Sequence, residues 1–276
     1  MILPLNYPLG KKLHLNYKIQ GFLNPSKPIL ILHGLLGSLD NWNIQARKLA
    51  RNHTVITVDL RNHGQSPHVK GMSYTEMTQD IIILLDHLQI SQCIVIGHSM
   101  GGKVAMLLAL NYPQRIQKLA VVDIAPKAYP PRHQAILQGM MRLPLAEIQS
   151  RKQADNWLAE WINSPTDRGF LLKNLKRHAT DNTTHSNRWY WQCNLSEIAR
   201  HYLKLSAFPA PAARTYNAPC LFIKGGQSDY IQAQDTALIQ QYFPNAKIES
   251  LAQAGHLPHI EDAQKFYNLV ADFLRE

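Results

Sequence analysis

The sequence predicts an α/β fold, in which a mostly parallel β-sheet is covered by helices on both faces and a helical segment is inserted into the chain. Short apolar runs alternate with helical patterns along most of the 276 residues, as is typical of parallel sheets. The alternation stops near residue 125 and resumes near residue 214. We therefore expect a core made of residues 1–125 and 214–276, and a helical cap made of residues 126–213.

The first strands and the first long helix can be located from their apolar patterns. Residues 13–19 alternate apolar and polar side chains, which predicts a strand at an edge of the sheet. Residues 28–34 and 54–59 are apolar runs that predict buried strands. Ser73 and Glu76 have the spacing of a capping box, so we expect a helix to begin there.

The most informative segment is residues 97–101, with the sequence Gly-His-Ser-Met-Gly, between a strand-like run and a helical pattern. A strand, sharp turn and helix present a serine at the end of a buried strand, and the helix directs unpaired N–H groups toward it. The turn needs residues without a Cβ two positions on either side of the serine, and both are glycine. We predict that Ser99 is a nucleophile, the alternative being a tight glycine turn with an incidental serine.

The second half of the chain predicts the insertion and the end of the sheet. Residues 118–123 form another apolar run, after which prolines break the pattern. The sheet is expected to resume at residues 220–223 and 247–251, before a final amphipathic helix over about 261–274. Four of the five tryptophans lie in the predicted cap, where we interpret them as helix-packing anchors: Trp157, Trp161, Trp189 and Trp191.

The net charge of +10 is concentrated in the predicted cap, which holds 12 Lys and Arg against 6 Asp and Glu, a net charge of +6. A positive surface raises the local concentration of anionic ligands, so it favours an anionic substrate such as an acyl-CoA, unless it is simply a solvated basic face. No basic-aromatic RNA motif or zinc-finger spacing is present in the sequence. We expect no nucleic-acid partner.

The cysteines and the apolar segments indicate a cytoplasmic protein. Cys93, Cys193 and Cys220 are odd in number and widely spaced, which favours neither a disulfide framework nor a thiolate metal site. No apolar run approaches the length of a membrane span, and the first residues lack the pattern of a secretory signal. Neither a metal-binding His-Glu-x-x-His nor a glycine-rich phosphate-binding fingerprint is present, so we expect no metal and no organic cofactor.

A serine hydroxyl needs a base within hydrogen-bond reach, and histidine is the natural candidate. Of the thirteen histidines, His256 stands out because it follows the last predicted strand and precedes the last helix. This places it on a loop at the carboxyl ends of the strands, where Ser99 is also expected. His259 is the second candidate.

Two aspartates are candidates for the carboxylate that orients His256, and both lie between Ser99 and His256 along the chain. Asp123 ends the predicted strand before the cap. Asp229 follows the first strand after the cap, but the usual acid position on that loop holds Ser228. We favour Asp123, with Ser228 as a hydrogen-bond donor that orients it, and keep Asp229 as the alternative.

An early strand ends in the loop His33-Gly34-Leu35-Leu36, which is expected to lie beside the nucleophile. A glycine-bearing loop can present backbone N–H groups to a developing oxyanion. We predict that the N–H groups of Leu35 and Met100 form the oxyanion hole. The alternative is an ordinary turn at the end of a strand.

Four blocks of sequence, in this order, resemble the α/β-hydrolase family over nearly the whole chain. The blocks are His33-Gly34, Asp59 to Ser66, Gly97 to Gly101, and Gly255-His256. More narrowly, residues 33–42, 59–64, 122–126 and 225–228 are similar to the YbfF-type bacterial esterases. The resemblance implies an α/β-hydrolase fold with an eight-stranded, mostly parallel sheet and an inserted cap.

The resemblance also implies roles for individual residues. It implies that Asp123 is the acid of a catalytic triad, that Ser228 assists it, and that the substrates are carboxylic esters or acyl-CoA thioesters. Asp229 departs from the pattern, because an uncharged residue is expected at its position.

We therefore expect a cytoplasmic serine hydrolase that cleaves carboxylic esters or acyl thioesters through an acyl-enzyme intermediate. Ser99 would attack the acyl carbon, His256 would move the proton, and Asp123 would orient His256. Because a fold does not fix a function, the alternatives are a C–C bond hydrolase or lyase, or a ligand-binding protein without turnover.

The two candidate acids can be compared by substitution. The aspartate that orients His256 should lose orders of magnitude in kcat when it is replaced by asparagine, because the histidine then takes the wrong tautomer. We expect this loss for Asp123→Asn and not for Asp229→Asn, measured with a p-nitrophenyl ester. The reverse result would assign the role to Asp229.

Overall fold

A seven-stranded sheet forms the centre of the computed structural model, which describes residues 13–21, 27–178, 189–209, 211 and 213–276. The strands of the structure are β1 (Tyr17–Gln20), β2 (Ile29–Leu32), β3 (Val55–Val58), β4 (Cys93–His98), β5 (Ile116–Val122), β6 (Leu175–Arg177), β7 (Trp189–Trp191), β8 (Cys220–Gly225) and β9 (Ala246–Leu251). The main sheet has the order β1-β3-β2-β4-β5-β8-β9.

The sheet is parallel except at one edge, where β1 pairs antiparallel with β3. The edge position confirms the prediction made for residues 13–19, although the strand itself begins only at Tyr17. The described residues supply seven of the eight strands that the resemblance implies, and the chain before Leu13 lies outside the described part.

Ten helices connect and cover the described strands. They are α1 (Asn43–Leu49), α2 (Tyr74–His87), α3 (Met100–Asn111), α4 (Gln134–Arg142), α5 (Arg151–Ala159), α6 (Pro165–Leu171), α7 (Leu195–Ser206), α8 (Asp235–Tyr242), α9 (Pro258–Glu261) and α10 (Ala263–Arg275). The capping box predicted at Ser73 and Glu76 is present at the start of α2. The last helix begins slightly later than predicted, because the short helix α9 precedes it.

Alternate side chains of β2 show how the sheet is buried on both faces. Ile29 and Ile31 belong to the apolar cluster that contains residues of α1 and α10. Leu30 and Leu32 belong to a second cluster, which contains residues of α2 and α3. All four side chains are fully buried, and each such burial contributes about 1.5–3 kcal/mol to the free energy of unfolding. The continuous apolar runs of the sequence are therefore explained by helices on both faces.

Residues 126–213 interrupt the sheet between β5 and β8, and their described part contains α4 to α7 and a small ribbon. In the ribbon, β6 and β7 pair antiparallel. The sequence predicted only helices here, because two strands of three residues leave no recognisable alternation. The four tryptophans pack partly buried against an apolar cluster that contains residues of this segment together with residues of α2 and α3, as the interpretation as packing anchors requires. The segment therefore rests directly on the helices that cover the sheet.

A buried lysine joins this segment to the sheet-bound helix α3. Lys103 is only 2% exposed, and its Nζ donates to the carbonyl oxygens of Ser206 at 3.0 Å and Ala207 at 2.8 Å, where α7 ends. The ring centroids of Tyr129 and Tyr74 lie 4.9 and 5.7 Å from Nζ. Burial lowers the pKa of Lys103 from 10.5 to about 7.

No helix in the described ranges combines the length and the apolar character needed to cross a membrane.

The lowered pKa of Lys103 predicts how stability changes with pH. Below pH 7 the lysine is protonated in both states, and the cost of burying its charge is fully present. Between about pH 7 and pH 10.5 the unfolded chain binds more protons than the folded one, so the contribution of Lys103 to the free energy of unfolding rises with pH. The difference between wild type and Lys103→Met, measured by urea denaturation, should therefore increase across this window. The exposed Lys204→Met serves as the control, and a difference for Lys103→Met that is constant with pH would contradict the prediction.

Candidate active site

Ser99 lies in the sharp turn between β4 and α3, as predicted. Its backbone has φ +50° and ψ −115°, a region that is costly for any residue other than glycine. Its N–H donates to the carbonyl oxygen of Val122 at 3.0 Å, which ties the turn to the neighbouring strand β5. The strain is therefore held by the sheet on one side and by the start of a buried helix on the other.

The two glycines around Ser99 are required by close backbone contacts. A Cβ added at Gly97 would lie 2.3 Å from the carbonyl oxygen of Gly101. A Cβ added at Gly101 would lie 2.5 Å from the carbonyl oxygen of His33. Because backbone atoms cannot move away as a flexible side chain can, any larger residue at either position would displace the turn.

The structure brings Ser99, His256 and Asp123 together. His256 lies in the loop between β9 and α9, with Nε2 3.1 Å from Ser99 Oγ and Nδ1 2.7 Å from Asp123 Oδ2. Asp123 follows β5 and is fully buried. An ionised carboxylate accepts hydrogen bonds only, so it selects the tautomer with the proton on Nδ1. The lone pair on Nε2 then faces the serine hydroxyl.

Asp123 is held by groups from the end of β8 and from the loop after it. The N–H of Gly225 donates to Oδ1 at 2.9 Å, and the hydroxyl of Ser228 donates to Oδ2, which also accepts from His256. Asp123 itself has φ +50°, a second left-handed residue at the carboxyl edge of the sheet. Ser228 thus lies where the sequence predicted a donor to this carboxylate.

The structure places the alternative acid, Asp229, elsewhere. Its side chain is 57% exposed and forms an ion pair with Arg132, at the start of the inserted segment. The hydrogen bond from Arg132 lowers the pKa of Asp229. Asp229 makes no hydrogen bond to His256, because Nδ1 of His256 is already bonded to Asp123.

His259, the second candidate base, is a buried packing residue. Its ring stacks on Trp42, with the centroids 4.2 Å apart and the planes 12° apart, and it also lies against the ring of His98. Burial lowers the pKa of His259 to about 3, so the ring is neutral at pH 7.

Leu35, Met100 and Ser99 line the same cavity. Gly34 allows its loop to approach the turn at Ser99, because a Cβ there would lie 2.6 Å from Nδ1 of His98. Met100 is the first residue of α3, where backbone N–H groups have no partner within the helix. In the described part of the chain, no hydrogen bond occupies the N–H of Leu35. Both groups are available to an oxyanion.

Two buried histidines hold the loop that carries Leu35, and the sequence pattern predicted no role for their side chains. His33 Nε2 accepts from the N–H of Leu60 at 3.0 Å, and His63 Nε2 accepts from the N–H of Leu36 at 3.1 Å. Burial lowers the pKa of His33 to about 4 and that of His63 to about 3, so both rings remain neutral acceptors at pH 7. Both lie in sequence blocks that carry the family resemblance. Their roles as acceptors depend on backbone N–H groups that are distant in the sequence, so the local sequence does not indicate them.

Tyr230 and His133 are further residues of the site that the sequence did not reveal. The ring of Tyr230 stacks on His256, with centroids 3.8 Å and planes 15° apart, and Arg132 Cζ lies 5.3 Å from the same ring. His133 donates its backbone N–H to Tyr202 Oη at 2.7 Å. Nothing in the local sequence distinguishes either residue from ordinary loop residues.

Ser99 lines two adjoining cavities. His256 lines the one of about 200 Å³, and Met100 lines the one of about 40 Å³. Leu35, Ser99, His133 and Tyr230 line both cavities. Among the residues that the structure describes, no group of three His, Cys, Asp or Glu side chains is arranged to hold a metal ion.

Comparisons with known proteins agree with this architecture. Residues 27–263 match the model of the α/β-hydrolase-fold family. The chain is 39% identical over 254 residues to the mouse sn-1-specific diacylglycerol lipase ABHD11, covering 89% of this chain and 80% of the lipase. It is 34% identical over 252 residues to Esterase YbfF of Escherichia coli K12, covering 91% of this chain and 94% of the esterase.

A solved structure is also similar over almost its whole length. The structure of a marine microorganism esterase superposes with a TM-score of 0.88 at 33% identity, covering 95% of this chain and 99% of the esterase. These matches confirm the resemblance that the four sequence blocks indicated. The chain belongs to the α/β-hydrolase-fold family, among relatives that are esterases and lipases.

Proposed function

We propose that the protein is a serine esterase that hydrolyses carboxylic esters, with Ser99 as nucleophile, His256 as general base and acid, and Asp123 as the residue that orients His256. The observation that carries the proposal is the continuous contact from Asp123 Oδ2 to His256 (2.7 Å) and from His256 to Ser99 Oγ (3.1 Å). The contacts run from a buried carboxylate to a hydroxyl that faces a cavity. The family and the names of the relatives support the same chemistry.

In the proposed reaction, Ser99 Oγ forms a bond to the acyl carbon while its proton passes to Nε2 of His256. The N–H groups of Leu35 and Met100 then stabilise the negative charge on the former carbonyl oxygen. The bond to the alcohol oxygen breaks as His256 returns the proton to that oxygen. Water, deprotonated by His256, next attacks the acyl-enzyme and releases the carboxylic acid and Ser99.

We propose that Asp123, rather than Asp229, keeps His256 in the reactive tautomer. The bonds from Gly225 and Ser228 support this role, because they hold both oxygens of the carboxylate without supplying a competing charge. Asp229 already pairs with Arg132.

We also propose that residues 126–213 act as a cap over the site. The support is that His133, Ile136 and Phe170 of this segment line the larger cavity opposite residues of the sheet edge. The cap would exclude water from the acyl-enzyme and supply apolar contacts to the substrate.

Ion pairs partly neutralise the positive charge of the described cap, so this charge gives only partial support to an acyl-CoA thioester as substrate. Four of its Lys and Arg residues are paired with carboxylates, which reduces the positive charge available to a phosphorylated carrier. The pairs are Lys127–Asp235, Arg132–Asp229, Arg168–Asp155 and Arg200–Glu197.

The three cysteines are free and buried, which supports a reducing compartment such as the cytoplasm.

Replacing the nucleophile tests this function. Ser99→Ala should melt at the wild-type temperature or above, because the substitution removes only a hydroxyl from a position held by its neighbours. Hydrolysis of p-nitrophenyl acetate should fall by about 10³-fold or more, and covalent labelling by a fluorophosphonate should be lost. The exposed Ser196→Ala is the matched control and should retain both. Labelling and turnover that persist in Ser99→Ala would refute the proposal.

A further inference from the structure

The ring of Tyr230 lies flat against the imidazole of His256, and the reaction proposed above does not use this contact. The ring centroids are 3.8 Å apart and the planes differ by 15°. The ring of His98 also lies near His256, with the centroids 4.8 Å apart, but its plane is tilted by 49°. Of these two neighbouring rings, only Tyr230 constrains the plane of the imidazole by stacking.

His256 needs such a constraint, because it lies in a loop and its side chain is 26% exposed. Its backbone carbonyl oxygen accepts from Nε2 of His98 at 2.7 Å, and Asp123 holds its ring at Nδ1. The covalent bond at Cγ and the hydrogen bond at Nδ1 hold two adjacent atoms of the ring. The ring can still tilt about the line through them, which would move Nε2 away from the hydroxyl of Ser99.

Given the proposed function, we infer that Tyr230 is a positioning residue for His256. Its ring is held in place, in turn, by the ion pair between Arg132 and Asp229. The face of an aromatic ring attracts a cation, and His256 becomes a cation when it takes the proton of Ser99. The contact is therefore stronger in the transition state than in the resting enzyme, which is the condition for a gain in kcat.

Arg132 supports the ring of Tyr230 from residues 126–213. Its Cζ lies over the ring, 5.3 Å from the centroid. The same guanidinium pairs with Asp229, the residue directly before Tyr230, and is thereby restrained where it contacts the ring. The carboxylate of Asp229 also offsets the positive charge of Arg132, which would otherwise oppose the positive charge that forms on His256. Asp229 thus has a role without touching His256.

The backbone of Tyr230 is fixed as well as its side chain. Its carbonyl oxygen accepts from Tyr129 Oη at 2.6 Å, and its N–H donates to Ser228 Oγ at 3.3 Å. The hydroxyl of Ser228 in turn donates to Asp123. One short loop therefore holds both groups that orient His256, the carboxylate at Nδ1 and the ring on its face.

The hydroxyl of Tyr230 is not needed for this role. Within the described part of the chain, Tyr230 forms hydrogen bonds through its backbone and none through Oη. Burial raises the pKa of Tyr230 to about 12, so the hydroxyl carries no charge near neutral pH. Phenylalanine at this position keeps the stacked face, whereas leucine keeps an apolar side chain and loses that face.

Tyr230→Phe and Tyr230→Leu test the inference in the full-length protein, with p-nitrophenyl acetate as substrate. We expect Tyr230→Phe to keep kcat within about twofold of wild type and Tyr230→Leu to lower it at least about tenfold, because His256 moves protons in both steps. Tyr267→Leu removes a half-buried tyrosine that lines neither cavity, and this control should keep the wild-type kcat. A change in KM alone for Tyr230→Leu, or an equal loss of kcat in both Tyr230 variants, would overturn the inference.

Proton NMR reports the placement of the imidazole directly. A histidine Nδ1–H that is bonded to a carboxylate gives a signal far downfield, and its absence from His256→Gln identifies the signal of His256. We expect the signal to persist in Tyr230→Phe and to weaken in Tyr230→Leu, because a tilting ring exposes the proton to exchange with water. A signal of full intensity in a Tyr230→Leu protein with low kcat would contradict positioning.

Arg132→Gln tests the support from the inserted segment, and it remains informative if Tyr230→Leu fails to fold. Because an exposed ion pair contributes little, we expect kcat to fall by about two- to fivefold. In a Tyr230→Leu background the same substitution should produce no further loss, because Arg132 acts through the ring. Arg275→Gln removes the exposed ion pair with Asp272 and is the matched control. An unchanged kcat in Arg132→Gln, or a loss that adds to that of Tyr230→Leu, would overturn the role of the ion pair.

The same measurements distinguish this inference from the proposed function. If the turnover of p-nitrophenyl acetate persists in Ser99→Ala, the proposed function itself fails, whatever the Tyr230 variants do. If turnover requires Ser99 but Tyr230→Leu retains the wild-type kcat, only the positioning role of Tyr230 fails.

Discussion

The site depends on one constraint, the close crossing of β4 and α3 at Ser99. The chain reverses so sharply that the backbone of Gly97 and Gly101 nearly touches, and no residue with a Cβ fits at either position. The strained backbone of Ser99 persists because the residues before it are hydrogen-bonded into the middle of the sheet and the residues after it form a fully buried helix. The position of the hydroxyl is therefore set by the most rigid part of the fold.

The parallel sheet brings the remaining groups to this point. Because β4, β5 and β8 are neighbours and β9 lies next to β8, the loops after these strands share one edge of the sheet. Asp123 follows β5, Ser228 follows β8 and His256 follows β9, so three segments that are distant in sequence meet within hydrogen-bond range. The order of the strands supplies the arrangement, and the loops need only the right side chain at their first turns.

The sequence was sufficient to predict features whose surroundings are formed by residues close to them in the chain. The strand, turn and helix around Ser99, the capping box at Ser73 and the histidine loop were located without a structure, because each is built from contacts between near neighbours in the chain. Asp123 was favoured as the acid on a similarly local observation, which is its position at the end of an apolar run.

Features that depend on contacts between distant residues were not predictable. The acceptor roles of His33 and His63 require contacts across 27 residues, and the stacking of Tyr230 on His256 requires the packed loops. The ribbon of β6 and β7 is too short to show a pattern of alternation. In the sequence Lys103 is one polar residue in a helical pattern, and its role depends on hydrogen bonds to the end of α7. The division of the space around Ser99 into two unequal cavities is likewise a property of the assembled fold.

The bonds of Lys103 have a mechanical consequence. They fasten the end of α7 to the helix that starts at Ser99, one turn beyond the nucleophile, whereas α6, on the other side of the inserted segment, carries the exposed Asp167 at the rim of the larger cavity. The inserted segment is therefore tied to the first turn of α3, so a displacement of α7 would be transmitted to the helix that begins directly after the nucleophile.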